Sequence, residues 1–181
     1  ASLRNDASSQ IVKNRNQRFW AVGAAWDLTK ENFMANVKQI NFLKLKASIG
    51  VLGNQSASNH DGAQISYPFY PTLNAGQAAV FGTSSYNAAD VSWDPNPDLR
   101  WETIHAQEVG VEANAFSNRL HFEANYFVRT TKDLVTYVSG SDRGAGLKDI
   151  LQNSGSIRNI GTELMASWTQ NLTKDFSVNV G

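Results

Sequence analysis

The sequence predicts an all-β, antiparallel fold, and three observations carry that expectation. Apolar and polar residues alternate with period two in one segment after another. The connections between these segments alternate between short and long along the chain. No run of about eighteen apolar residues is present from which a membrane helix could be built.

The elements follow in order. Leu3–Ala7 already alternates. Trp20, Val22, Ala24, Trp26 and Leu28 then form one face of a second segment, opposite the mostly small Ala21, Gly23, Ala25 and Asp27. In the Asp27–Asn41 connection, Thr29 and Asn32 offer starts for a short helix carrying Phe33, Met34, Val37 and Ile40 at helical spacing. The third segment sets Leu43, Leu45, Ala47, Ile49 and Val51 against Lys44, Lys46, Ser48 and Gly50. It ends at Gly53-Asn54, residues that tolerate positive φ, and a long polar stretch runs from Gly53 to Asp98.

A fourth segment opposes Val109, Val111, Ala113 and Ala115 to Glu108, Gly110, Glu112 and Asn114. Ser117-Asn118 reads as a two-residue turn. The fifth segment has Leu120, Phe122, Ala124, Tyr126 and Val128 against His121, Glu123, Asn125, Phe127 and Arg129. After a second long stretch, roughly 139–160, Leu164, Ala166 and Trp168 oppose Glu163, Ser167 and Thr169. Past the short Gln170–Asp175 connection, Phe176, Val178 and Val180 oppose Ser177, Asn179 and Gly181. About seven strands are expected. Because both ends fall inside strands, the chain reads as an arc of a larger sheet.

Following the zigzag, the short turns and the Asp27–Asn41 connection fall on one side and the long loops on the other. A membrane barrel shows that arrangement. Alternation with polar loops equally describes a soluble β-sandwich, such as a carbohydrate-binding module. Two features favour the barrel. The apolar faces carry alanine and glycine freely, which suits lipid and would underfill a sandwich core. The opposite faces carry Lys44, Lys46, Glu108, Glu112, Glu123 and Arg129, which suit a wet lumen. Trp26, Trp168 and Phe176 sit at the short-turn ends, where an aromatic girdle is expected. The mean hydropathy of −0.36 is no obstacle, since only every second residue of such a strand meets lipid.

Composition excludes several function classes. The 16 basic and 16 acidic residues cancel, so nothing argues for nucleic acid. The absence of cysteine removes disulfide scaffolds and thiolate chemistry. No catalytic constellation stands out. His60, His105 and His121 are assigned to a loop, a strand's outer end and the lumen side, so they share no metal or triad. His60-Asp61 reads as a solvated loop pair. Glu108, Glu112 and Glu123 read as lumen charges before they read as glycosidase carboxylates. Gly144-Ala145-Gly146 lacks the strand and helix of a phosphate loop. The Asn54-Gln55-Ser56 and Asn171-Leu172-Thr173 triplets match the glycosylation acceptor pattern, which is too short to carry weight. No enzyme and no cofactor are expected. Tyr67, Phe69, Tyr70 and Trp93 form the one notable loop cluster, suited to packing the loop and, second, to touching a ligand or partner.

Several local sequences narrow the reading. Asn96-Pro97-Asp98-Leu99-Arg100-Trp101-Glu102-Thr103 resembles the Asn-Pro-Asp-Leu-Lys-Trp-Glu stretch of the SusC/RagA family of TonB-linked outer-membrane transporters. Leu43–Gln55 is similar to that family's Leu-Lys-Leu-Arg-Ala-Ser-Tyr-Gly strand with its Gly-Asn-Gln end. Asn118-Arg119-Leu120, Tyr126, Thr131-Lys132-Asp133-Leu134 and Asn159-Ile160-Gly161-Thr162-Glu163-Leu164 follow in the family's order, and Leu3–Ser9 with Ala24-Ala25-Trp26 fits its start. Ala7, Trp20 and Ile160 depart from the usual Gly, Pro and Lys. These motifs read first as architecture, with Asn96-Pro97-Asp98 as a turn and Trp101 near the outer aromatic belt.

The resemblance implies a barrel of roughly 22 strands with a plugged lumen, importing a glycan, oligosaccharide or peptide across the bacterial outer membrane. It implies four partners: a SusD-like surface lipoprotein, the TonB complex, outer-membrane lipid and the remainder of the barrel. The plug, the TonB-gripped segment and the signal peptide are expected on parts not contained in residues 1–181. A siderophore-type receptor is the nearest rival, and the Asn96–Glu102 stretch argues against it.

Overall fold

A computed structural model of the chain describes residues 1–58, 62–91, 93–138 and 149–181, apart from the side chains of Gln77 and Ala78. His60-Asp61 and Gly144-Ala145-Gly146 lie outside the described residues. The alternating segments form one antiparallel sheet. Its strands are β1 (Ser2–Ala7), β2 (Asn16–Asp27), β3 (Ile40–Asn54), β8 (Glu102–Ala115), β9 (Leu120–Lys132), β12 (Ser156–Asn171) and β13 (Ser177–Val180). They lie side by side in that order, seven strands with β1 and β13 at the edges. The sheet is open.

Register carries the alternation of each strand onto its neighbours. Trp26 pairs with Leu45, Leu45 with Val111, Val111 with Ala124 and Ala124 with Leu164. Parallel rows start from Ala24 and Val22, and all of them lie on one face. That face is bare: Leu164 is 71% exposed and Val109 55%, with Trp20, Val22, Trp26, Ile49, Tyr126, Ile160 and Trp168 also exposed. The total accessible surface is 12401 Å², against about 8,700 Å² for a compact protein of this mass. An apolar sheet face of this width is not left to water in a soluble monomer.

The connections sort by side. The short-turn edge carries residues 28–39, 116–119 and 172–176, and the opposite edge carries 8–15 and the described parts of 55–101 and 133–155. In the turn after β8, Ser117 (φ 58°) and Asn118 (φ 62°) take the central positions, and the Arg119 N–H donates to the Phe116 carbonyl at 3.3 Å. Positive φ at both central residues is what a tight hairpin with right-handed strand twist demands. Asn118 N–H also donates to Asn41 Oδ1 (3.0 Å), where β3 is irregular between Ile40 and Phe42. Turn and irregularity lock together.

Three expectations need correction. The helix expected in the Asp27–Asn41 connection is instead two single 3-10 turns, Leu28–Lys30 and Asn32–Met34. Asp27 caps the first through the Thr29 N–H (3.2 Å). Neither turn buries a residue, so nothing stabilises a longer helix. The polar stretch after β3 also holds strands that its composition hides: β4 (Ala57–Ser58) with β5 (Gln64–Ile65), and β6 (Leu73–Phe81) with β7 (Ser84–Val91). Within the third long connection, β10 (Val135–Val138) pairs with β11 (Ile150–Asn153). Finally, Gly53 is not a positive-φ strand end. A Cβ there would lie 1.9 Å from the Phe19 ring, so glycine serves the close approach of that ring.

Candidate functional site

Two features hold chemistry: the charged face of the sheet and the rim built from the long connections. On the face opposite the bare one, β3 presents Lys44 and Lys46, β8 presents Glu108 and Glu112, and β9 presents Glu123 and Arg129. The alternation that exposes Leu45 and Val109 on one side dictates this placement on the other.

The lysines are neutralised across strands. Lys44 Nζ lies 2.6 Å from Glu112 Oε2, its direct neighbour in the ladder. Lys46 reaches further, passing over β8 to Glu123 on β9 at 2.5 Å. It crosses at Gly110, its ladder partner, where a Cβ would lie 2.7 Å from Lys46 Cε and 2.2 Å from Asn125 Oδ1. Asn125 Nδ2 donates to the same Glu123 oxygen (3.0 Å). His121 and Asn114 close the short-turn end of the lattice at 2.7 Å. Toward the long-loop end, the Arg129 guanidinium lies 4.7 Å from the centroid of the Phe127 ring. That ring covers Gly161, where a Cβ would lie 2.6 Å from Phe127 Cζ. The glycine of Asn159-Ile160-Gly161 is therefore required by an aromatic ring on the neighbouring strand, a long-range cause invisible in the motif itself.

The rim is organised by residues 96–102. Asp98 N–H donates to Asn96 Oδ1 (2.9 Å), the side-chain turn expected of Asn-Pro-Asp. Leu99, 2% exposed, packs with Trp93 and Leu151. Trp101, 7% exposed, packs with Ile11 and Phe19, and its indole N–H points to the carbonyls of Asn14 (3.1 Å) and Arg15 (3.3 Å). Trp101 is thus an interior residue of the rim and not part of a lipid-facing belt. Its large apolar ring finds a pocket between the first connection and β2. Above β1 and β3, Asn5, Asp6, Asn54, Gln55, Ser56 and Trp101 line a polar concavity of about 530 Å³.

The loop aromatics divide. Trp93 is 6% exposed with its indole N–H on the Pro68 carbonyl (2.9 Å), so it packs the loop. Phe69 is half-buried between Tyr67 and Tyr70, with ring centroids 6.1 and 4.5 Å away. Tyr67 and Tyr70 are exposed, the latter to 69%. The exposure of Phe81 and Tyr86 on the β6–β7 hairpin, 6.0 Å apart between centroids, was not foreseen. The Phe81-Gly82-Thr83-Ser84 sequence held the signal, since glycine in a two-residue loop marks a hairpin.

A seven-stranded antiparallel sheet with one apolar face bare, one face charged, and loops long on a single edge defines a segment of membrane β-barrel wall. Comparison with known proteins agrees. The chain matches the family described as TonB dependent receptor-like, beta-barrel, over residues 1–181. It belongs to that family, whose members reside in the bacterial outer membrane. It is 32% identical to TonB-dependent receptor P26 of Formosa agariphila over 96% of its length, covering 17% of that protein. It is 28% identical to TonB-dependent receptor SusC of Bacteroides thetaiotaomicron, with 97% of the chain and 17% of the relative covered. The RagAB peptide importer in its open-open state superposes with a TM-score of 0.78 at 30% identity, over 98% of this chain and 18% of that one. The chain spans about a sixth of the length of the curated relatives it matches. These relatives are receptors and transporters, not enzymes.

Proposed function

We propose that this chain is an arc of the wall of a SusC/RagA-type importer that carries a nutrient, oligosaccharide or peptide, across the outer membrane. The division of the sheet into a bare apolar face and a charged face supports this reading most directly. Lipid covers the first. The second lines the lumen, where Lys44, Lys46, Glu108, Glu112, Glu123 and Arg129 keep the passage wet and offer charges to the plug. A SusD-like lipoprotein closes the mouth above the long loops, and Tyr67, Phe69 and Tyr70 are the rim residues suited to touch it or its cargo. Energy arrives from the TonB complex through the plug side of the full protein.

The named cargo of one relative, the RagAB peptide importer at 30% identity, supports peptide, and the family resemblance keeps oligosaccharide beside it. Uptake measured in a strain lacking the full gene separates them. Loss of uptake of one labelled oligosaccharide or peptide, restored by the gene only when TonB is intact, is the expected result. Unchanged uptake of both classes, with a growth defect confined to iron limitation, would point to a siderophore receptor and refute the proposal.

A further inference from the structure

The residues between the long polar stretch and β8 make more contacts across the rim than a simple turn requires. Within seven residues, 96–102, side chains reach the other two long-loop connections and the end of β3. Toward residues 8–15, Trp101 buries itself against Ile11, and Lys13 pairs with Asp98. Toward the end of β3, Glu102 Oε2 accepts from Asn54 Nδ2 at 2.7 Å. Toward residues 133–155 there are five links. Glu102 Oε1 accepts from the Val135 N–H at 2.8 Å. Asn96 Nδ2 donates to the Leu151 carbonyl at 2.8 Å. Asn153 accepts from the Arg100 N–H (2.7 Å) and donates to the Arg100 carbonyl (2.9 Å), while it is held within its own connection by the Asp133 carbonyl (2.8 Å). Arg100 faces Asp133 at 3.5 Å. Leu99 closes the cluster with Leu151.

Glu102 is the central piece. Its residue is 8% exposed, yet both carboxylate oxygens have partners, one on Asn54 at the end of β3 and one on Val135 at the start of β10. A buried carboxylate satisfied from two sides is costly to unpair on either. Loss of the 133–138 contact therefore leaves a Glu102 carboxylate oxygen without its partner. Such mutual dependence joins separate loops into one cooperative unit.

We propose that residues 96–102 are a buckle that makes residues 8–15, 133–138 and 149–155 of the rim open and close together, with Glu102 anchoring the buckle to the end of β3 and the start of β10. The three connections leave different pairs of strands, so the barrel wall alone would let each fluctuate independently. The buckle couples them. A force or partner acting on one connection is then felt at the mouth as a whole.

Amide hydrogen exchange on the full-length transporter in detergent micelles tests this. Leu151→Ala cuts the cluster built on Trp93 and Leu99, and Trp101→Ala cuts the one built on Ile11 and Phe19. Each is expected to raise exchange by about tenfold or more both in residues 8–15 and in the described parts of 133–155. Amides of β8 and β9 stay protected and report that the barrel has assembled. Exchange that rises only in the connection losing its own contact overturns the proposal. Should either alanine variant fail to assemble, Trp101→Phe keeps an aromatic ring in the cluster and removes the indole N–H together with the pyrrole part of the ring. A smaller rise shared by both connections supports the buckle, and a rise confined to 8–15 refutes it.

Discussion

Replacing Gly110 by alanine should destabilise the wall, and the effect should vanish when two neighbours are trimmed. The added methyl group would sit 2.2 Å from Asn125 Oδ1 and 2.7 Å from Lys46 Cε. Both are side-chain atoms, so they can move, but each move breaks a bond to Glu123. Adjacent strands lie about 4.8 Å apart, so Lys46 must cross about 10 Å of sheet to reach β9. It has no slack for a detour. Overpacking of this kind costs about 1–3 kcal/mol, and loss of a partly exposed ion pair adds up to about 1 kcal/mol. Against this, alanine in a strand interior gains about 0.5–1 kcal/mol over glycine. The net expectation is a loss of about 1–3 kcal/mol in the native background. In a Lys46→Ala, Asn125→Ala background the close neighbour left is the Ala124 carbonyl oxygen at 3.2 Å, which a small shift relieves, so the backbone gain offsets it and the same substitution should become close to neutral. Denaturant midpoints of the full-length barrel in lipid vesicles, measured as a mutant cycle, read this directly. An equal loss in both backgrounds would refute the claim that Gly110 exists to let Lys46 through.

Three shorter predictions follow from the same geometry. Val109→Arg places a charge near the middle of the bare face and should cost about 2–4 kcal/mol in a bilayer, while Glu108→Arg one residue away should cost far less; equal assembly yields for the two would show that the faces are misassigned. Ser117→Gly, at φ 58°, should stabilise the hairpin by up to about 1 kcal/mol, and Ser117→Val should weaken it by about 1–2 kcal/mol, read from the same unfolding curves. In the rim, burial first and the Asp149 charge second push the Tyr137 hydroxyl above the ordinary value of 10.0. Its contribution is therefore complete below that value and is lost as pH rises through the higher folded one. Alkaline loosening of residues 133–155, followed by hydrogen exchange, should be weaker in Tyr137→Phe.

The strands of the main sheet were legible because period-two alternation is local: Leu120 through Arg129 shows both faces without reference to any neighbour. The turn at Ser117-Asn118 was legible for the same reason. The rim was not. Leu73–Val91 contains mostly Ala, Asn, Ser and Gly, and its pairing depends on a two-residue loop instead of alternation. The short helix failed because apolar spacing in Phe33, Met34 and Val37 is necessary for a helix but carries no weight without a surface to bury it. Trp101 was misplaced because a tryptophan at a strand's start suits a lipid belt as well as a loop interior. Only the position of Ile11, ninety residues earlier in the chain, distinguishes them.

The sequence by itself determined the number of spanning strands, which residues share a face, and which edge carries the long loops. All of these follow from dihedral alternation and turn chemistry within a few residues. The tertiary structure decided which charges meet and what the glycines are for. Lys46 finds Glu123 across an intervening strand, Phe127 covers Gly161, and Glu102 ties the end of β3 to the start of β10, because register brings distant positions within side-chain reach. Register is set by the fit of whole strands to one another, and no local window of the sequence contains it.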